Sequence, residues 1–461
     1  MNSVTANGVI ESVRVALDGR VITPEDEGYE QARAVFYGSV DKRPAVIARP
    51  ADTAEVARVV SLAREVGAEL AVRSGGHSLA GHSVSDGGIV IDLAAMKGLE
   101  LDPDARTAWA QAGLTAGEYT AAAGKHGLAT GFGDTGSVGL GGLTLGGGVG
   151  FLVRKHGLTI DDLLAAELVT ADGEVLHVDE ETHPDLFWAI RGGGGNFGVA
   201  TRFRYRLHAL DAIYGGMLIL PATPESIAAF VAEAEAAPDE LSAIANVMIA
   251  PPMPFLPAEA HGKPVIMALV CWSGEVEDGE RALAPFRSLA SPVADLVKPM
   301  PYPGIYSLFG DVEGPGPAQE VARSLFVDAV DADAAETIVA HLDASTAPMA
   351  VAQFRILGGA MARVPVAETA FAHRNRRVMV ALGAVYEDAA ESPEHEAWVT
   401  EFMEALQDGS PGVYVNFLGD EGDARVREAY PGATWERLAE VKRRYDPSNL
   451  FRLNQNIRAM S

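Results

Sequence analysis

Residues 71–92 read AVRSGGHSLAGHSVSDGGIVID. Two β-rich runs, 69–73 and 88–93, flank a loop of small residues: Ser74, Gly75, Gly76, Ser78, Gly81 and Ser83. A loop so poor in side chains lets successive backbone N–H groups converge on an anion, the arrangement that cradles a pyrophosphate. His77 stands in the middle of it, an imidazole beside the presumed phosphates, with Arg73 and His82 close by. The plainer alternative is a glycine turn with a surface histidine.

Upstream, residues 44–48 predict a strand and the stretch after it a helix. Asp52 is the N-cap, with Glu55 three residues on as its capping-box partner. Val56, Val59, Val60 and Ala63 recur at helical spacing and form one apolar face. Gly67 can end the helix in the left-handed conformation. Strand, helix, strand and anion loop are therefore legible in order.

Three further segments extend the pattern. Residues 131–150 read GFGDTGSVGLGGLTLGGGVG. Glycine costs roughly 0.5–1 kcal/mol against alanine within a helix or strand, so this density predicts a loop that a flat ring or diphosphate approaches closely. Residues 191–203, RGGGGNFGVATRF, follow a helical run at Pro184–Ile190 and lead into a strand. Residues 443–457 read RRYDPSNLFRLNQNI. Both Gly193-x-Gly195-x-x-Gly198 and Gly131-x-Gly133-x-x-Gly136 satisfy a dinucleotide fingerprint. Neither follows a strand and opens a helix, so a nicotinamide-binding Rossmann domain is disfavoured.

Taken together and in order, the four segments resemble the berberine-bridge-enzyme-like FAD-linked oxidoreductases of the vanillyl-alcohol-oxidase, or PCMH-type, flavoprotein superfamily. The resemblance implies FAD as cofactor, bonded from His77 to its 8α-methyl carbon. It places the flavin against Arg73, Ser74, Gly75, Gly76, Ser78, Gly81 and His82 of the first loop. Thr135, Gly136, Gly139, Leu140, Gly142, Leu143, Gly146 and Gly150 of the second segment would lie beneath it, with Gly198 and Val199 of the third. Asn454 and Asn456 would bond its edge. Many relatives add a cysteinyl bond within C-x-x-V-G-x-G-G; here Thr135 takes the cysteine's place, so the expectation is single attachment. Leu140 occupies a position that helps gate oxygen in plant relatives, where leucine tends to exclude it; packing under the ring is the alternative.

The run VYVNF at 413–417 resembles the family's Y-x-N strand. Alternation along a strand would put Tyr414 and Asn416 on one face, the first as base or substrate anchor and the second as flavin neighbour. A tyrosine titrates near about 10, so it needs a lowered pKa or a concerted proton transfer. Gln353 and Arg355 alternate onto one face of a sheet that should roof the pocket. Many relatives carry an acid near there; glutamine cannot be a base, so Tyr414 carries more of that role. His82 is expected to hydrogen-bond within the flavin loop, and His373-Arg374 to be structural or at the pocket rim.

Composition sets the frame. Of 461 residues, 48% are hydrophobic and 21% charged, ordinary for a globular chain of two to three domains. Lys and Arg number 36 against 63 Asp and Glu, a net charge of −27 that argues against nucleic acid and anionic membrane as partners. Cys271, the single cysteine, lies in the apolar run VIMALVCW and is expected to be a buried small hydrophobe. No multi-cysteine metal site, P-loop or HExxH stands in the chain, and no metal is expected. No secretory leader or bilayer-length apolar run is seen, so a cytoplasmic location is expected. Together with the missing cystines of the secreted plant relatives, this makes the chain similar to the bacterial members.

The fold class expected is α+β: a two-part PCMH-type FAD-binding domain with an inserted substrate domain on a largely antiparallel sheet. Residues 1–210 would form the FAD domain (core about 41–210), 211–417 the substrate domain, and 418–461 a return to the first. Residues 166–170 and 174–178 predict a hairpin around Ala171-Asp172-Gly173. Strand-like runs at 244–249, 265–270, Met349–Ile356 and 377–385 alternate with helical ones at 225–236, 277–289 and 395–407. Proline-rich stretches at 251–257 and 299–303 read as loops at a pocket mouth.

The function expected is an FAD-dependent oxidase. It would take a hydride from a C–H next to O or N of a small aromatic, alkaloid-like or polyketide-like compound, and O2 would be the acceptor, giving H2O2. A dehydrogenase with another acceptor, a sugar oxidase and a non-catalytic flavin-binding protein are the alternatives.

Overall fold

Asp52, in an extended conformation, accepts a hydrogen bond from Glu55 N–H and starts the helix Thr53–Val66; Gly67 ends it at φ 67°. The reciprocal half of the cap differs from expectation. Glu55 accepts from Ala51 N–H at 2.8 Å, one residue earlier than Asp52, because Arg20 holds its other oxygen. The buried face of this helix, Val56, Val59, Val60 and Ala63, packs in one core with Val46, Ala48, Leu70 and Ile91. In this computed structural model, which describes residues 6–308, 318–409 and 411–458, these strands belong to the first of two principal sheets of the N-terminal part.

That sheet has the order Val21–Ile22, Val46–Ala48, Ile89–Asp92, Leu70–Arg73. Leu70–Arg73 and Ile89–Asp92 are parallel neighbours. Parallel strands cannot be joined by a tight turn. The chain between them must leave one end of the sheet and return to the other, and the Ser74–Gly88 stretch does so as the small-residue loop. The second sheet is antiparallel, with order Leu99–Asp102, Thr107–Gln111, Val199–Arg206, Leu163–Val169, Val175–Val178. Its last two strands form the hairpin expected around residues 171–173.

A larger antiparallel sheet follows, with order Ala294–Asp295, Ala212–Pro221, Pro264–Trp272, Leu241–Ile249, Met349–Ile356, Val378–Tyr386, Gln319–Val327. Alternation sorts its two faces. Ala350, Ala352, Phe354, Val380 and Leu382 pack under the helices Pro224–Ala236, Ala332–Ala344 and Ser392–Leu406. The opposite face carries Val351, Gln353, Arg355 and Ala381 toward the glycine-rich segments. One proline stretch departs from a loop: Lys298–Pro301 is an edge strand against Ala212–Pro221, a place where a missing N–H costs no ladder bond. Neither proline stretch lines the main cavity. Cys271 is fully buried among apolar side chains, and burial pushes its thiol up to about 12.

The C-terminal motif is tied to the 191–198 segment by one buried ion pair. Lys442 Nζ donates to Asp446 Oδ2 at 2.7 Å, to Asn196 O at 2.7 Å and to Phe451 O at 2.8 Å. Asp446 also accepts from the N–H groups of Leu450 and Phe451. Both side chains have 0% exposure. Lys442→Met would leave a buried carboxylate without its cation, a loss of about 3 kcal/mol. Chemical denaturation should show that loss as a lower midpoint at unchanged slope; an unmoved midpoint would mean the pair is neutral to stability.

Candidate active site

A cavity of about 480 Å³ lies between the glycine-rich segments and the open face of the large sheet. That volume falls in the ordinary range for small-molecule sites. Two backbones meet at its floor: a Cβ on Gly75 would fall 2.3 Å from Gly139 N, and one on Gly139 would fall 2.2 Å from Gly75 N. Only glycine at both positions permits this approach, which brings the two segments expected to share a ligand into contact.

Ser74, Gly75, Gly76, His77, Ser78 and His82 of the first loop line the cavity. Thr135, Gly139, Gly142 and Leu143 do so from the second segment, and Gly198, Val199 and Asn454 from the third and fourth. Burial holds the imidazoles of His77 and His82 down to about 4, so both are neutral at pH 7. His77 Nε2 lies 3.2 Å from Ser137 Oγ, and its ring stacks on Phe36 with centroids 4.2 Å apart.

Other expected residues stand behind this wall. Arg73 is buried and bonded to Asp92 Oδ2 at 2.8 Å, where it braces the loop instead of reaching a ligand. Gly81 is tied by its carbonyl to Lys42, Gly136 by its carbonyl to Gly117 N–H, and Gly150 packs on the Phe132 carbonyl. Gly146 packs against Asn416, whose Oδ1 would be 2.0 Å from an added Cβ. Asn456 also lies off the cavity lining.

Leu140 is a correction. The segment is no continuous loop: Leu140–Gly146 forms a short helix, because its Leu140, Leu143 and Leu145 side chains find buried sites. Leu140 has 0% exposure, and its side chain is packed in the core instead of lining the cavity. Gly139, Gly141 and Gly142 present the wall there instead.

The Y-x-N stretch is a second correction. Val415–Phe417 is a 3₁₀ turn, not a strand. Tyr414 and Asn416 nevertheless converge, because Asn416 Nδ2 donates to Tyr414 Oη at 2.9 Å and to Leu143 O at 3.1 Å. Gly148 N–H donates to the same phenol oxygen at 2.8 Å. Tyr414 and Asn416 both line the cavity, and burial pushes the Tyr414 hydroxyl up to about 12. On the large sheet, Gln353 Nε2 donates to Asn246 Oδ1 at 2.8 Å. Arg355 pairs with Asp134 at 2.5 Å and lies over the Phe417 ring at 4.4 Å. His373 is structural: buried, off the cavity wall, and 3.0 Å by Nε2 from the Glu428 carbonyl. Arg374, with 0% exposure, is clamped by both oxygens of Asp161 at 2.7 Å.

Sequence reading missed Asp134, Tyr37 and Glu320, which also line the cavity. Asp134 adjoins Thr135 and could have been paired with a cation; Glu320 had no local signal. Among the described residues, no group of His, Cys, Asp and Glu could hold a metal, and no helix is long and apolar enough to cross a membrane.

The lining fits FAD. Gly142 and Gly195 have open space where a side chain would stand, as a flat ring or diphosphate against the backbone requires. Ser83 Oγ and Asn454 Oδ1 are buried at this cavity without a partner among the described residues, a costly state unless another group bonds them.

Comparison with known proteins agrees. Residues 44–179 match the family described as FAD binding domain, and residues 413–458 the family described as berberine and berberine like. (R)-6-Hydroxynicotine oxidase of Paenarthrobacter nicotinovorans is 32% identical, over 96% of this chain and 97% of its own. The crystal structure of 6-hydroxy-D-nicotine oxidase from Arthrobacter nicotinovorans superposes with a TM-score of 0.86 at 29% identity, over 96% of this chain and 98% of that one. Glucooligosaccharide oxidase of Acremonium strictum, which carries a 6-S-cysteinyl, 8α-N1-histidyl FAD, shares the fold with a TM-score of 0.85 at 24% identity, over 98% of this chain and 100% of that one. The chain is an FAD-dependent oxidoreductase and belongs to the berberine-bridge-like family.

Proposed function

We propose that this enzyme is an oxidase of a small aromatic, alkaloid-like or polyketide-like compound, holding FAD by a single covalent bond from His77. FAD held there would supply a hydride acceptor for the substrate and, once reduced, an electron donor for O2. The observation that carries the proposal is the Tyr414 phenol oxygen. It is fixed at the cavity wall by Gly148 N–H and Asn416, and its own proton goes to no described residue. Two donors on one oxygen favour the phenolate against burial, and it is as the phenolate, its own proton first given up to solvent, that Tyr414 would take a substrate proton. Gln353 and Arg355, held by Asn246 and Asp134, orient the substrate from the sheet side.

Two observations support the attachment. His77 is a neutral imidazole whose Nε2 is occupied by Ser137, which leaves Nδ1 for the bond. A cysteinyl bond like that of the glucooligosaccharide oxidase has no counterpart, since Thr135 faces the cavity and Cys271 lies in another core. The sugar-oxidase alternative is weaker for that reason, while a 6-hydroxynicotine oxidase among the relatives favours a nitrogen heterocycle.

The test is anaerobic mixing of the yellow protein with a library of aromatic amines, alkaloids, phenolic polyketides and oligosaccharides. Bleaching by an aromatic or alkaloid compound, with rapid recovery and peroxide in air, is the expected result. Bleaching with slow recovery in air would make it a dehydrogenase. No bleaching by any class would overturn the substrate class proposed.

A further inference from the structure

The sheet face that meets the cavity carries one carboxylate with no assigned task. Glu320 lies on the edge strand Gln319–Val327, where alternation sets it beside Ala322 and Ser324 on the cavity side. The ladder places it opposite Val385, which is in turn opposite Met349. It forms no hydrogen bond and no ion pair with any described residue.

The charges around it are committed elsewhere. Asp134 belongs to Arg355, and Arg323 is turned to Glu421 at 3.7 Å. His77 and His82 are neutral. Tyr37 lies in the field of Glu320, Asp134 and Arg355, and burial together with both acids pushes its hydroxyl up. The rest of the cavity wall is uncharged: polar at Ser324, Gln353 and Asn416, apolar or aromatic at Val351 and Phe417. Glu320 is half-buried, and a carboxylate partly withdrawn from water without a cation is disfavoured in its charged form. Burial alone moves Glu320 up to about 7. A ligand cation would complete this arrangement, with its charge on Glu320 and its hydrocarbon on the aromatic walls.

We infer that Glu320 is the recognition group for a protonated nitrogen, so that the substrate of this cavity is a cationic amine. The inference rests on the cavity being the substrate site, as proposed above, and narrows its substrate class. Sugars and carboxylic acids can offer Glu320 a hydroxyl donor but no cation.

The test is titration calorimetry on the FAD-loaded protein with N-methylbenzylamine, N-methylphenethylamine and 2-phenylpyrrolidine, each beside its neutral ether or carbocyclic counterpart. At least one amine should bind wild type about tenfold or more tightly than its neutral counterpart at about pH 8. The preference should fall as pH drops through about 7, because Glu320 then becomes a neutral acid. Near that pH, binding should release protons, read from the dependence of the heat on the buffer's ionisation enthalpy. Glu320→Gln should abolish the preference and the proton release while neutral counterparts bind as before, and Glu320→Asp should restore part of both. Equal affinity for amines and neutral counterparts in wild type, or an unchanged preference in Glu320→Gln, overturns the inference. The absorbance spectrum reports FAD separately. A yellow protein without amine preference retains the oxidoreductase function and loses this assignment, whereas loss of substrate bleaching with the preference intact would do the reverse.

Discussion

His77→Ala is expected to abolish covalent flavin altogether. Acid-precipitated wild-type protein should stay yellow, and the pellet of the variant should be colourless. The expectation rests on one nitrogen in one setting. His77 sits in the small-residue loop, stacked on Phe36, its Nε2 engaged by Ser137 and its imidazole kept neutral by burial. A neutral imidazole keeps the lone pair that bond formation needs, so the reaction should proceed across the neutral pH range. Peptide mapping should find a single modified histidine. Flavin that washes out of denatured wild type would refute the attachment, and a second protein–flavin bond would refute the argument from Thr135. Non-covalent FAD should persist partly in the variant, because the Gly75–Gly139 contact and the remaining lining are untouched.

Tyr414→Phe should slow anaerobic bleaching by substrate about 10²- to 10⁴-fold, the usual cost of losing a general base. The variant also leaves Gly148 N–H and Asn416 Nδ2 without their common acceptor. A stability loss of about 1–3 kcal/mol is therefore expected. Denaturation and FAD content should be measured beside the rate, so that loss of fold is separated from loss of chemistry. Reoxidation by O2 should change much less, since it does not require that proton acceptor. Bleaching at the parent rate would reduce Tyr414 to a packing residue. The proton acceptor would then be sought at Glu320, the cavity's free carboxylate, which burial raises to about 7.

The elements that frame the site were legible because their signals are local. Asp52 and Gly67 bound their helix, and alternation over Met349–Ile356 assigned Gln353 and Arg355 to one face. Motif order was enough to identify the family. Where local signals failed, a longer-range contact had prevailed. Glycine density argued against regular structure at 140–146, yet three leucines found buried sites and a short helix formed. Its turn carries the Leu140 side chain into the core, off the cavity lining. VYVNF has the composition of a strand but pairs with none among the described residues, and it closes as a 3₁₀ turn through Phe417 N–H to the Tyr414 carbonyl.

By itself the sequence determined the α+β class, the order of the FAD-binding segments, the histidine available for attachment and the lack of a cysteine beside it. These depend on residue type and spacing, which neighbouring residues in the chain express directly. Only the tertiary structure decided which charges are left over. Asp134 and Arg355 are 221 residues apart and neutralise each other at 2.5 Å. Glu320, on an edge strand of the large sheet, has no cation bonded to it among the described residues. An ion pair or its absence depends on distance in space and on exclusion of water, and neither is written in the local pattern of a chain.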